Sequence, residues 1–363
     1  MGQGQRVEAL DYLRGVMALS IMIYHYVCGT IGDPDGNTVL GRLGIYGVSL
    51  FYIISGASLF LAYRNSSWGL DKVSEFWKKR LLRLAPIYWI ACIGFLFKLW
   101  RNYSIETVML NLSMTFGFLG YTKGIPAGSW SIGNEVCFYL AFPIVIICAR
   151  RWAALLALLL VSLVSYIHFA FNLLGTDKSL AEQWFTYIHP FNQIFLFVVG
   201  VALSKFSLSV QPSRLSNVSS VLLLVVAALG MFFYENTPEM IQLVTGYERL
   251  VFTLFSIIAT FACLRLALSG KTFIEKGLKH LGEMSYSIYM LHSVTFFYVQ
   301  KFIPKSVSTG MPLFYVAMFI SVPLTLYLAS LSYRYIETPF IRLGKMKDGG
   351  FIQNIKLVFR RQA

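Results

Sequence analysis

Long apolar runs constrain this chain more than any other feature of its sequence. Stretches of roughly 17 to 22 mostly apolar residues recur, and each is long enough to cross the hydrocarbon core of a bilayer. Only 13% of the 363 residues are charged, about half the share usual in a soluble domain. Because the runs do not alternate between apolar and polar residues, an outer-membrane β-barrel is excluded. The sequence therefore predicts an all-α polytopic membrane protein.

Hydropathy predicts about ten transmembrane helices. Their expected positions are 8–28, 45–63, 84–100, 133–149, 152–171, 191–206, 217–234, 248–268, 285–303 and 311–334. The apolar run at 107–119 is too short to span, so we expect it to lie at the membrane surface or to re-enter the membrane.

The distribution of basic residues predicts the orientation. With the N-terminus inside, 23 of the 31 lysines and arginines lie on the cytoplasmic side and 8 on the outer side. Such a bias over an even number of spans places both termini in the cytoplasm. The same rule accounts for the net charge of +14, so nucleic acid is not an expected partner.

Two segments differ in composition. Residues 1–341 are expected to form the transmembrane domain. Residues 342–363 form a basic stretch with interspersed apolar residues, which is typical of an amphipathic tail attracted to anionic membrane lipid.

The first predicted helix carries three ionisable residues that face the same way. Asp11, Arg14 and His25 are separated by close to whole helical turns, and the small Ala18 shares their face. Ionisable groups inside a membrane are costly, so each is a functional candidate. One interpretation is a polar stripe that rises roughly 16 Å from Arg14 to His25. The other is an Asp11–Arg14 pair at the inner interface, with His25 hydrogen-bonded between helices.

Two arginines in the motif KKRLLRLAPIYW are the second candidate group. Arg80 and Arg83 lie three residues apart, directly before the third predicted helix, and so share one face. Positive-inside anchoring fully explains the neighbouring Lys78 and Lys79. For the arginines, anchoring and the binding of phosphate groups from a cytoplasmic donor stay open as alternatives.

The motif GSWSIGNE, at the outer start of the fourth predicted helix, supplies the third group. Glu135 would enter the membrane at the depth that His25 reaches, where a carboxylate can fix an imidazole tautomer or stabilise its protonated form. Alternatively, Trp130 belongs to an interfacial aromatic belt, and Ser131 caps the helix with Glu135 in its first turn.

Smaller signals come from two other helices. In GEMSYSIYMLH, Tyr286 and His292 are candidates for substrate binding, although an interhelical hydrogen bond would also explain His292. In GVSLFYIISG, Gly47 and Gly56 are expected to let helices pack closely. The cysteines have no CxxC spacing, so neither a disulfide framework nor a metal site is expected.

Chemistry alone leaves two classes of function open. No GxSxG elbow, P-loop, HExxH or GxGxxG motif is present. A histidine reachable from outside and a basic inner mouth suit either group transfer across the membrane or a transporter or flippase that uses the polar stripe as its pathway.

Together, six motifs resemble the acyltransferase 3 family of membrane O-acyltransferases. The resemblance runs from about residue 8 to 340, and the motifs occur in the family's order: LDYLRG with YHY, GVSLFYIISG, RLLRLAPIYW, SWSIGNE, GEMSYSIYMLH and ETP. The chain departs from the pattern at Val136, where many members have a second glutamate, and at Tyr12 and Ala57. A single carboxylate is therefore expected to serve in that motif.

The resemblance implies transfer of an acetyl group from cytoplasmic acetyl-CoA to a hydroxyl of a surface glycan, in the inner (plasma) membrane of a bacterium. The acceptor would be a cell-surface polysaccharide or lipid-linked glycan of the O-antigen or exopolysaccharide type, and no metal would take part. Since no hydrolase-like segment follows the tenth helix, we expect a stand-alone sugar O-acetyltransferase rather than a peptidoglycan-modifying enzyme.

The resemblance also assigns roles to residues. His25 would deprotonate the acceptor hydroxyl or carry the acyl group transiently, and Glu135 would orient His25 or stabilise its positive charge. Asp11 joins these two as a catalytic candidate. The candidates for binding donor or acceptor are Arg14, Arg80, Arg83, Trp130, Ser131, Tyr286 and His292.

Overall fold

The computed structural model describes residues 7–210, 214–268 and 270–346, and within them the chain is 80% helical with no strand. The α-helices are α1 (Glu8–Cys28), α2 (Val39–Tyr63), α3 (Leu70–Leu99), α4 (Ile105–Leu112), α5 (Phe116–Leu119), α6 (Ser129–Cys148), α7 (Trp152–His168), α8 (Trp184–Tyr187), α9 (Pro190–Ser209), α10 (Arg214–Phe233), α11 (Gly246–Arg265), α12 (Phe273–Glu283), α13 (Ser285–Phe302), α14 (Gly310–Val316), α15 (Val322–Ser332) and α16 (Thr338–Lys345). Short π-helical segments at Phe169–Leu173, Ala317–Ser321 and Tyr333–Glu337 continue the helices before them.

The apolar helices identify a multi-pass membrane protein. Within the described ranges, 8 helical segments are long and apolar enough to cross a membrane. The other two predicted spans correspond to α1 and α13, which form helices of 21 and 18 residues but are more polar. These two helices carry His25 and His292. Length and composition thus account for eight spans, and the count of ten and the orientation of the termini stay predictions.

The third helix begins much earlier than the sequence predicts. It starts at Leu70 rather than at residue 84, so Arg80 and Arg83 lie inside the helix and not before it. Hydropathy marks only the apolar part of a helix, whereas charged turns extend it when their side chains pair. Here Glu75 accepts hydrogen bonds from Lys72, at 2.9 Å, and from Lys79, which are neighbours on the helix surface.

The chain divides into two compact units, which are described separately. The first unit comprises Met1–Ser66 and Leu140–Glu283, and the second comprises Ser67–Tyr139 and Met284–Ala363. The predicted boundary between a transmembrane domain, 1–341, and a tail, 342–363, stays a prediction. Residues 347–363 of that tail lie outside the described residues, and the part before them belongs to α16.

In the first unit, α2 and α9 touch backbone to backbone. A Cβ atom at Gly56 would lie 2.0 Å from the carbonyl oxygen of Phe197, and one at Gly200 would lie 2.0 Å from that of Ile53. A Cβ at Gly47 would likewise lie 2.9 Å from the side chain of Ile21. The predicted close packing at Gly47 and Gly56 is confirmed.

The short helix α12, also in the first unit, supports the start of α1. A Cβ at Gly282 would lie 2.1 Å from the carbonyl oxygen of Asp11, so the two helices are in close contact. Lys279 pairs with Glu8 at 2.9 Å, and this hydrogen bond raises the pKa of Lys279. No predicted span corresponds to α12, because its 11 residues are too few and too polar to cross a membrane.

Two arginines are buried in the first unit without a carboxylate partner among the described residues. Arg42 is 2% exposed and donates to the carbonyl oxygen of Met231 at 2.8 Å and to that of Gly36 at 3.2 Å. Arg249 is 2% exposed and donates to Asn192 Oδ1 at 2.6 Å, with its guanidinium 3.8 Å from the ring centroid of Tyr166. Amide oxygens and an aromatic face thus satisfy both cations.

The α2–α9 contact predicts a strong effect of one methyl group. Gly56→Ala is expected to lower the free energy of unfolding in detergent by roughly 1 to 3 kcal/mol, because the helices must separate to admit the Cβ. Gly277→Ala is the matched control, since no atom lies within 4 Å of a Cβ on that helical glycine. Thermal unfolding of the purified variants checks this, and equal stability of the two variants would contradict the contact.

Candidate active site

Asp11 and Arg14 form an ion pair on α1. Arg14 Nη1 lies 2.9 Å from Asp11 Oδ1, and the Asp11 side chain is only 1% exposed. The other end of the guanidinium reaches α2, where Nη2 donates to Ser58 Oγ at 2.7 Å. These contacts tie α1 to α2 and favour the structural interpretation of the pair, while the predicted catalytic role of Asp11 stays a prediction.

His25 occupies the last turn of the same helix. The helix is continuous from Glu8 to Cys28, so the spacing that places His25 on the face of Arg14 holds, and Ala18 on that face is fully buried. The imidazole is half-buried, and its centroid lies 5.6 Å from that of Tyr24. His25 thus lies at the end of the helix with part of the residue accessible.

In the second unit, Arg80 is held by aromatic rings. Its guanidinium lies 5.8 Å from the ring centroid of Phe76 and 5.9 Å from that of Tyr139. No described residue forms an ion pair or hydrogen bond with this side chain, and its buried Nε is without an acceptor. A half-buried guanidinium whose donors are unused is suited to bind an anion.

Glu135 lies on α6 of the same unit and is half-buried. Tyr139, one turn further along the helix, donates a hydrogen bond from its hydroxyl to Glu135 Oε1. The carboxylate also interacts electrostatically with the hydroxyls of Tyr286 and Tyr289. A tyrosine hydroxyl on the same helix therefore holds the Glu135 carboxylate in place.

The proposed cap at Ser131 is wrong. The helix α6 begins at Ser129, so Ser131 is its third residue and lies inside the helix. Its hydroxyl donates to Tyr289 OH at 2.8 Å and also lies 2.9 Å from the carbonyl oxygen of Gly128. Gly128 has φ +79°, a backbone conformation that favours glycine and turns the chain into the helix.

The remaining candidates also belong to the second unit. Tyr286 donates to the carbonyl oxygen of Leu84 at 2.6 Å and interacts electrostatically with Arg83. His292 is fully buried, 5.9 Å from the ring centroid of Tyr289. Trp130 is half-buried at the start of α6.

The second unit also contains a buried carboxylate, Glu337. Glu337, in a π-helical turn and 2% exposed, accepts a hydrogen bond from Ser287 Oγ at 2.9 Å.

The two units share out the ten predicted site residues unequally. Asp11, Arg14 and His25 belong to the first unit, and the other seven belong to the second. The expectation that Glu135 orients His25 joins residues of separately described units and stays a prediction. Within the described ranges, no group of three or more histidine, cysteine, aspartate or glutamate side chains could hold a metal ion.

Sequence reasoning missed Tyr139, which contacts both Glu135 and Arg80. Tyr289, in the motif GEMSYSIYMLH, contacts both Ser131 and His292. The available signal was helical spacing: Tyr139 follows Glu135 by four residues and so shares its face.

Comparison with known proteins gives a consistent picture. The family model Acyl_transf_3, described as "Acyltransferase domain", matches residues 7–330. The chain is 25% identical over 370 residues to the Staphylococcus aureus (strain COL) protein named "Putative O-acetyltransferase SACOL0978", an alignment that covers 93% of this chain and 58% of that protein. It is 26% identical over 391 residues to O-acetyltransferase OatA of S. aureus (strain MRSA252), covering 98% and 60%.

The chain therefore spans about three fifths of the length of the curated relatives it matches. No solved structure matches it.

Substitution of Asp11 decides between its two interpretations. Asp11→Asn is expected to lower the free energy of unfolding by roughly 1 to 3 kcal/mol, because a buried hydrogen bond to Arg14 loses its charge. Glu106→Gln is the control: its partner Lys123 is 2.6 Å away, but both side chains are exposed, so little loss is expected. Unchanged stability of Asp11→Asn together with lost activity would instead make Asp11 catalytic.

Proposed function

Because the chain belongs to the acyltransferase 3 family and is thus an acyltransferase, we propose that it is a membrane O-acetyltransferase that uses cytoplasmic acetyl-CoA. The acceptor is a hydroxyl of a cell-surface polysaccharide or lipid-linked glycan, of the O-antigen or exopolysaccharide type. The enzyme lies in the inner membrane of a bacterium. The names of the relatives support the acetyl group as the one transferred.

One observation carries the choice of donor, namely the unused guanidinium of Arg80. An arginine that served only as a positive anchor would be solvated, whereas Arg80 is half-buried beside Phe76 and Tyr139. A partly buried cation whose donors are unused can form strong hydrogen bonds to an anion, and the planar fork of a guanidinium matches the geometry of phosphate oxygens. The phosphates of CoA supply such an anion, and Arg83 adds positive charge one turn away.

The transfer step needs a base and a proton donor. Acetyl-CoA supplies the acetyl group as a thioester. His25 takes the proton from the acceptor hydroxyl while its oxygen forms a bond to the acetyl carbon, the C–S bond breaks, and the thiolate takes up a proton. Transient acylation of His25 itself is the other route, and both give the same acetyl ester and free CoA.

The role of Arg80 in binding the donor is tested by measuring KM for acetyl-CoA. Arg80→Gln is expected to raise KM for acetyl-CoA roughly 10-fold or more, because a charged hydrogen bond to phosphate is lost. Lys78→Gln is the control, because it removes a neighbouring positive charge that lies outside the proposed site. The Lys78 amine donates to the carbonyl oxygen of Met346 at 3.4 Å. This variant should leave KM for acetyl-CoA unchanged. Equal KM values for the two variants would remove the argument for Arg80.

The role of His25 as the base is tested by measuring the acetyl content of the surface glycan. His25→Ala is expected to leave the protein inserted in the membrane while ester-linked acetyl disappears from the surface glycan, because the base is lost. NMR of the purified glycan measures the acetyl content, and immunoblotting of membranes measures insertion. Acetyl content at the wild-type level in this variant would exclude the role of His25, and movement of glycan without acetyl-CoA would indicate a flippase instead.

A further inference from the structure

Tyr139 contacts two side chains of opposite charge in the second unit, each with a different part of its own side chain. Its ring faces the guanidinium of Arg80, and its hydroxyl donates to Glu135. Arg80 and Glu135 lie on α3 and α6, so Tyr139 connects two helices through two candidate site residues. We propose that Tyr139 is a positioning residue of the transferase, which orients Glu135 with its hydroxyl and Arg80 with its ring. This inference rests on the proposed function.

The two charges do not pair directly. Among the described residues, Arg80 has no carboxylate within ion-pair distance. A direct pair with Glu135 would neutralise the guanidinium and occupy the donors that a phosphate group needs. The Tyr139 hydroxyl binds the carboxylate instead, and the ring face of Tyr139 accommodates the cation. The donors of Arg80 thereby stay available to a phosphate group.

Burial supports a fixed geometry at this position. Tyr139 is 2% exposed, and its ring packs edge-on against Phe76 with centroids 5.8 Å apart. Phe76 is fully buried and forms the second aromatic contact of Arg80. Phenylalanine would fill the same space at residue 139, so packing alone does not require the hydroxyl. Only the hydrogen bond to Glu135 does.

Three variants separate the hydroxyl from the ring. Tyr139→Phe keeps the ring and should lower kcat roughly 10-fold, with KM for acetyl-CoA near the wild-type value, since a hydrogen bond to a charged group is lost. Tyr139→Leu removes the ring as well and should also raise KM about 3- to 30-fold. Phe76→Leu leaves Glu135 untouched and should raise KM alone.

The assay uses the full chain in membrane vesicles from cells that produce the glycan. Acetyl-CoA is added, and released CoA thiol and glycan-bound acetyl are both measured. Tyr298→Phe is the matched control, because its hydroxyl donates only to the backbone carbonyl of Gly94, at 2.7 Å, and both kinetic constants should stay at the wild-type level. If Tyr139→Leu does not accumulate in the membrane, Tyr139→Met replaces it.

The outcomes distinguish this proposal from the function on which it rests. If the wild type transfers acetyl but Tyr139→Phe keeps kcat within twofold of it, the positioning role is overturned. The same holds if Tyr139→Leu, or Tyr139→Met in its place, leaves KM unchanged. If the wild type shows no transfer that depends on acetyl-CoA, the proposed function fails first. A fall in kcat for Tyr139→Phe, with KM raised only in the variants that lack a ring, confirms the proposal.

Discussion

A polar side chain inside an apolar helix must find its partner within the protein, because the hydrocarbon core offers no water. Arg42 and Arg249 meet this requirement with backbone and amide oxygens and an aromatic ring. Arg14 does so with Asp11 and with a hydroxyl of the next helix. Arg80 differs from these three, since its guanidinium lies beside two aromatic rings and no described acceptor binds it. The proposed role of Arg80 in binding an anion rests on this difference.

Apolar runs predicted most of the architecture, because length and hydropathy are local properties of a sequence. They failed where side-chain pairs within a helix, or contacts with another helix, compensate for polarity. The third helix extends to Leu70 through side-chain pairs at Glu75, and α12 is stabilised by its contact with α1 at Gly282. The helices that carry His25 and His292 were predicted as spans yet are too polar to qualify by composition. Polar candidate residues thus lower the hydropathy of the helices that carry them.

The candidate site could be predicted only in part from the sequence, for a related reason. Charged residues stand out in apolar runs, so Arg80, Glu135 and His25 were found. Tyrosine is common in such helices and does not stand out from its apolar neighbours. The contacts of Tyr139 with Glu135 and Arg80 were therefore visible only in the three-dimensional structure. The cap assigned to Ser131 failed because the helix begins at Ser129, four residues before the apolar run predicted. Spacing shows which residues share a face, but not which neighbours they meet.

The glycine contact between α2 and α9 has a mechanical consequence. Gly56 faces a carbonyl oxygen of α9 and Gly200 faces one of α2, so each helix presents a Cα–H group to the other. Sliding by one turn, about 5.4 Å, would bring Tyr52 or Phe60 to the position of Gly56, where the backbones leave no room. The contact therefore opposes sliding of α2 along α9, so a change of shape in the first unit meets less resistance in the helices around this pair.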